Sequence, residues 1–161
     1  MKKGVYLFFL LFVSSALQAQ NAPKLVVGIV IDQMRFDYLS TFSHGYCDSG
    51  FVKLLKKGSS WQEMHYNYIP TFTGPGHASI YTGTTPAFHG IAANDWYDVA
   101  TKQEMYCTQD ASSKGIGAEN VQGMTPKNLR VPTIGDQLKA AYPTSKVYGI
   151  ALKDRGGILP A

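Results

Sequence analysis

Apolar positions in this chain gather in runs, and the spacing inside each run predicts an element. Lys24-Leu25-Val26-Val27-Gly28-Ile29-Val30-Ile31 is continuous and β-branched, the pattern of a buried central strand in a parallel sheet. Lys146-Val147-Tyr148-Gly149-Ile150-Ala151-Leu152 has the same character and predicts another buried strand. Between them the period changes. Phe51-Val52-Lys53-Leu54-Leu55-Lys56-Lys57 has helical spacing and stops at Gly58, and Thr133 to Ala141 predicts an amphipathic helix. Trp61 to Ile69, with mixed alternation, suits a further strand. Asn94-Asp95-Trp96-Tyr97-Asp98 opens a polar, turn-rich section that runs to about Lys127, with Gly115 and Gly117 as loop markers and Ser112-Ser113-Lys114 in a flexible stretch. Strand, helix, strand, helix, helix, strand is the order of a three-layer α/β domain.

One helix start carries more than structure. In Pro70-Thr71-Phe72-Thr73-Gly74-Pro75-Gly76-His77 the Thr and Gly residues suit an N-terminus, and Pro is favoured in a first turn. Ala78-Ser79-Ile80-Tyr81 continues the helix until Gly83 ends it. A hydroxyl at such a point lies beside free backbone N–H groups and the positive end of the helix dipole, which suits a group that holds an anion while its oxygen attacks. The plainer reading of Thr73 is a cap.

Targeting and composition restrict the setting. Lys2 and Lys3, then apolar Val5 to Val13, then small residues to Ala19, form a signal-peptide pattern with cleavage expected after Ala19. The apolar run is short for a membrane span, and no Cys follows it to carry a lipid; a retained N-terminal anchor is the alternative. The expectation is a segment 1–19 for export and a catalytic-domain segment 20–161 in the periplasm or outside the cell. Removing residues 1–19 takes two of the 15 Lys+Arg and none of the 11 Asp+Glu, so the net charge falls from +4 to +2. That mild, scattered balance gives no case for nucleic acid or a membrane surface. Cys47 and Cys107 are the two cysteines, and sequence leaves open whether they pair.

The candidate chemistry falls at strand ends and helix starts. Asp32 follows the first apolar run directly, where an open α/β sheet binds ligands; a turn or N-cap is its structural alternative. Lys153 and Arg155 follow the last run, either as fixed cations or as a solvated pair flanking Asp154. Together with Thr73, these residues offer a carboxylate for a metal, a hydroxyl nucleophile and two positive charges. Coordination to Zn²⁺ would activate the Thr73 hydroxyl, and Lys153, Arg155 and the Asn94 amide suit the oxygens of a transferring phosphoryl group. His44, His65, His77 and His89 show no paired metal-ligand spacing; His77 is read as structural, near the Thr73 loop.

Val30-Ile31-Asp32-Gln33-Met34-Arg35-Phe36-Asp37-Tyr38, Pro70 to His77 with Ser79 to Gly83 and Pro86 to Asn94, and Leu152-Lys153-Asp154-Arg155-Gly156 resemble three ordered segments of the bacterial Thr-nucleophile alkaline phosphatases. These are the PafA-type enzymes of the alkaline phosphatase superfamily, related to nucleotide pyrophosphatase/phosphodiesterases. The resemblance runs from about Lys24 to Ala161. It implies a three-layer alkaline-phosphatase-like fold with a mostly parallel central sheet, incomplete in this chain. It also implies two Zn²⁺ per complete site, with Asp32 a ligand of one and Thr73 both its ligand and the nucleophile. Asn94, Lys153 and Arg155 would contact the phosphoryl group, the last two favouring monoesters over diesters. Small phosphate monoesters are the implied substrates, hydrolysed through a phosphothreonine intermediate.

The family draws further zinc ligands from Asp-x-x-x-His, Asp-His and a late His, and none of those patterns occurs in the 161 residues. The expectation is therefore the N-terminal part of a longer enzyme, with the remaining ligands beyond Ala161. A phosphodiesterase of the same superfamily is the first alternative, and an inactive exported binding fragment is another. A sulfatase fits poorly, because Thr cannot become the formylglycine its chemistry needs and His77 stands where that signature has Arg.

Overall fold

The computed structural model describes residues 23–117 and 121–161, so the targeting segment read at 1–19 lies outside the described residues. The chain divides into two compact units, Met1–Val30 and Ile31–Ala161, and the second holds every candidate site residue.

Helices in that unit begin and end where local chemistry says they should. In chain order they are α1 (Tyr38–Thr41), α2 (Phe51–Lys57), α3 (Thr73–Thr82), α4 (Pro86–His89), α5 (Ile134–Ala141) and α6 (Asp154–Ile158). Gly83 ends α3 in the left-handed conformation, with φ of 68°, and its N–H donates to the Ser79 carbonyl. Thr133 caps α5 by a capping box: its hydroxyl accepts from the Asp136 N–H, and the Asp136 carboxylate accepts from the Thr133 N–H at 2.8 Å.

Strands occupy the polar section from Asn94 to about Lys127, where the sequence predicts turns. β1 (Asp95–Asp98) pairs antiparallel with β2 (Gln103–Tyr106), with Trp96 opposite Met105 and Asp95 opposite Tyr106. β3 (Gln109–Lys114) pairs antiparallel with β4 (Gln122–Met124) across an irregular register. Ser112-Ser113-Lys114, expected to be flexible, lies inside β3. These strands are short and polar, and what holds them is cross-strand hydrogen bonding plus the packing of Trp96 and Tyr106 on the core, neither of which leaves an apolar run in the sequence.

The apolar runs behave in the opposite way. Neither Lys24–Ile31 nor Lys146–Leu152 is a hydrogen-bonded strand among the described residues, and Trp61–Ile69 is not one either. Ile150 and Leu152 are 95% and 109% exposed. A parallel strand takes its hydrogen bonds from neighbours contributed by distant chain, and the sheets among the described residues are two antiparallel pairs that do not include these runs. Among the described residues these runs have strand character without a partner strand.

The core is small and sits behind α3. Ala78, Ile91, Cys107 and Leu159 are fully buried, with Trp96, Tyr106 and Leu129 packed against them. Burying Ile91 or Leu159 stabilises the unit by roughly 1.5–3 kcal/mol each. His89 stitches α4 to α3. Its Nδ1 accepts from the Ile91 N–H at 3.1 Å, so Nε2 carries the hydrogen and donates to Ser79 Oγ at 2.9 Å. Burial pushes the His89 pKa down, which keeps the ring neutral.

Candidate active site

Thr73 is the first residue of α3, not its cap. Phe72 holds the cap position, and no side chain caps this end. The Thr73 hydroxyl instead leaves the helix and donates to Asp32 Oδ2 at 3.1 Å, 41 positions away in sequence. Asp32 sits in a turn closed by the Met34 N–H on the Ile31 carbonyl, with Gln33 in the left-handed region at φ of 62°. Lys153 Nζ reaches the same carboxylate oxygen at 3.4 Å. One oxygen atom thus gathers the three elements that carry Asp32, Thr73 and Lys153. The pair is half-exposed, so it contributes little to stability.

The helix end is less open to an anion than its sequence suggested. Pro75 has no N–H, the Gly74 N–H donates to Asn94 Oδ1 at 2.8 Å, and the Gly76 N–H is bonded to the Phe72 carbonyl. Among the described residues this leaves the amides of Phe72 and Thr73. Donation to an anion then falls chiefly to side chains. The Asn94 amide is oriented for it: with Oδ1 engaged by Gly74, Nδ2 is the end left to donate. Gly74 is needed here, because an added Cβ would stand 3.2 Å from Asn94 Oδ1 and 3.3 Å from Cys107 Sγ. His77 serves the same turn as the structural residue expected. Its Nδ1 meets the Thr73 carbonyl at 2.8 Å, and a carbonyl only accepts, so Nδ1 is the donor.

Arg155 lies two residues beyond Lys153 on α6, and its side chain takes a different course. Its NH1 donates to the Tyr106 hydroxyl, and the guanidinium carbon stands 5.6 Å from the Tyr106 ring centre. Tyr106 in turn donates to Asp154 Oδ1 at 2.7 Å, and Thr108 Oγ1 donates to Asp154 Oδ2. Burial raises the Asp154 pKa, but the bonds from Thr108 and Tyr106 outweigh it and the carboxyl stays below its ordinary range. Sequence reasoning missed Tyr106, Thr108 and Asp154. Asp154 was flanked by two candidates, which was the one available hint; nothing local in the sequence marks Tyr106 or Thr108.

Cys47 and Cys107 are both free thiols, the first exposed and the second buried. Burial pushes the Cys107 pKa up to about 11. Among the described residues no three His, Cys, Asp or Glu side chains gather to hold a metal. Two oxygen donors are nonetheless suitably placed. Ligand oxygens on one tetrahedral zinc stand about 3.3 Å apart, close to the separation of Thr73 Oγ1 and Asp32 Oδ2.

The fold and these residues define a class. The chain belongs to the type I phosphodiesterase / nucleotide pyrophosphatase family, whose model matches residues 26–154. Within it, the chain is similar to bacterial alkaline phosphatases: 46% identical to alkaline phosphatase PafA of Elizabethkingia meningoseptica over 97% of this chain and 30% of that protein. It is 48% identical to alkaline phosphatase PhoV of Synechococcus elongatus over 89% of this chain and 26% of that one. A Myroides odoratus protein named calcium-transporting ATPase is 52% identical over 95% of this chain and 28% of its own length. The crystal structure of wild-type PafA matches with a TM-score of 0.84 at 46% identity, covering 89% of this chain and 28% of that one. The chain therefore has part of the alkaline-phosphatase-like fold expected from the resemblance, without the parallel central sheet among the described residues. The chain spans under a third of the length of these relatives.

Proposed function

We propose that the protein this chain belongs to is an exported phosphomonoesterase, an alkaline phosphatase that uses Thr73 as its nucleophile and releases inorganic phosphate. The observation that carries this reading is the Thr73 hydroxyl at a helix start, hydrogen-bonded to Asp32 Oδ2 with Lys153 on the same oxygen. Thr73 Oγ1 loses its proton and attacks phosphorus as the substrate's ester P–O bond breaks and its oxygen leaves, protonated, as the alcohol; water then attacks the phosphothreonine, regenerating the Thr73 hydroxyl and releasing inorganic phosphate. Asn94 Nδ2, Lys153 and Arg155 donate to the phosphoryl oxygens, whose charge is spread over three positions in the transition state. Asp32 and Thr73 would hold one of two Zn²⁺ ions, with further ligands from outside the described residues. When bound, the metal would acidify the Thr73 hydroxyl. Small phosphate monoesters are the substrates, in the periplasm or outside the cell.

A crystal structure of a PafA variant adds support. It carries substitutions at a threonine, an asparagine, a lysine and an arginine; the first two are as far apart in that sequence as Thr73 and Asn94 are here, and the last two as far apart as Lys153 and Arg155. A diesterase reading is favoured by the description of the family model and by 35% identity to a Xenopus laevis bis(5'-adenosyl)-triphosphatase over 58% of this chain. Hydrolysis of a phosphate monoester and a matched diester by the full-length native protein, with and without chelator, separates the two. A strong monoester preference lost with chelator is expected; a diester preference moves the protein to the second reading.

A further inference from the structure

We propose that Tyr106 is a positioning residue for Arg155, holding its guanidinium at the phosphoryl site through a relay that runs from Arg155 to the Tyr106 hydroxyl to Asp154, with Thr108 anchoring the far side of that carboxylate. The inference rests on the proposed contact between Arg155 and the phosphoryl group. Each bond in the relay has a fixed direction. Arg155 has only donors, so the Tyr106 oxygen accepts from it; the phenol has one hydrogen, which goes to Asp154 Oδ1. Asp154 Oδ2 is then free for the Thr108 hydroxyl. The Tyr106 hydroxyl both accepts and donates, so a phenylalanine in place of Tyr106 breaks two bonds together while keeping the ring on the core.

The anchor matters because of where Arg155 stands. It sits on the first turn of a helix of five residues, and its Nε is buried with no hydrogen-bond partner among the described residues. A long side chain with that little support gains its orientation from the one bond at NH1 and from the ring beside it. NH1 is held by a neutral oxygen, and the neighbouring Asp154 carboxylate favours the charged guanidinium without bonding to it directly. The remaining N–H groups then face an anion without a carboxylate already bound to them. Lys153, Asp154 and Arg155 thus divide the labour of one helix start: a cation on Asp32, an anchor, and a cation held by that anchor through Tyr106.

The test uses the full-length protein, a phosphate monoester, a matched diester, and the variants Tyr106→Phe, Arg155→Ala and the two combined. Tyr106→Phe is expected to lower monoester kcat/KM about 10- to 100-fold, the size of one lost charge-assisted hydrogen bond, with a much smaller effect on the diester. In the Arg155→Ala background, Tyr106→Phe should then change nothing further. Equal losses on both substrates, or the full Tyr106→Phe factor persisting without Arg155, overturn the positioning role. An Arg155→Ala protein with unchanged monoester preference overturns the assignment of Arg155 itself and this proposal with it. If Tyr106→Phe does not fold, Thr108→Val decides in the same way, because it loosens Asp154 and leaves Tyr106 and Arg155 intact; a Thr108→Val protein with unaltered monoester preference counts against the relay.

Discussion

Thr73 donates its side-chain hydrogen to Asp32 at 3.1 Å and gives nothing back to its own helix. A threonine at a helix start ordinarily satisfies a backbone N–H, and that use is excluded here because Phe72 occupies the cap position. The lone pairs of Oγ1 are left for chemistry.

Two threonine substitutions should therefore part company. In the full-length protein, Thr73→Ala is expected to lose phosphomonoester turnover by on the order of 10⁴-fold or more, with no phosphoenzyme trapped by acid quench. Its melting temperature should barely move. Thr133→Ala, which removes a real cap, should cost about 1 kcal/mol in a denaturation experiment and leave turnover nearly unchanged. A turning-over Thr73→Ala protein would sink the nucleophile assignment.

The proposed function divides the Asn94 side chain between two duties, with Oδ1 on the Gly74 N–H and Nδ2 on the phosphoryl group. Asn94→Asp keeps an oxygen for the Gly74 N–H and replaces the outward donor by a negative charge, so the turn should survive while activity does not. The expected loss in kcat/KM is roughly 10²–10³-fold, as for removing one oxyanion donor. Steady-state kinetics with a thermal melt checks this; a fall in stability matched to the fall in activity would mean that Asn94 serves only the turn.

How much of this could be read from the chain depends on the range of the forces involved. Gly83, Thr133 and Gly58 mark helix ends by local backbone chemistry, and those helices stand where the sequence put them. Asp32 and Lys153 were legible as candidates because each follows an apolar run, and Thr73 because it opens a helix; the three converge on one carboxylate oxygen. The apolar runs 24–31 and 146–152 misled, since strand pairing is decided by a partner that the run itself does not contain. The reverse holds for β1 and β2, whose polar residues conceal a hairpin that cross-strand pairing reveals. Tyr106 is the clearest loss: its role follows from meeting residues 48 and 49 positions away.

Acid should weaken the β3–β4 region through one carboxylate. Hydrogen bonds from Ser112, then Lys127 and Thr125, hold the Asp110 pKa well below the usual carboxylate range. A group with a depressed folded pKa stabilises above its unfolded value, near 3.9, and loses that contribution as pH falls toward the folded value. Asp110→Asn should thus be less stable than the parent at pH 7, and the gap should narrow below about pH 4. Melting curves across pH test it; a gap that does not vary with pH would remove the charge from the explanation.

Thiol chemistry offers an independent check on the core. With Cys107 buried and its pKa raised to about 11, a neutral alkylating agent should leave it unlabelled at pH 8 while modifying Cys47. Unfolding should expose both, as read by mass spectrometry. Rapid native labelling of Cys107 would show that the wall behind Gly74 opens.

The contact between Lys153 and Asp32 spans 121 positions, and this sets an order of events. The hairpin of β1 and β2 and the capped helix α5 rest on neighbours close in sequence and can form early. Bringing residue 153 to residue 32 must wait until the intervening chain has been made and closed into a loop, a step whose entropy is recovered only afterwards. A nascent chain emerging N-terminus first would carry Thr73 long before it carried Lys153. The proposed nucleophile is therefore made well before the cation that shares its carboxylate partner, and the cluster of Thr73, Asp32 and Lys153 closes only when residue 153 arrives.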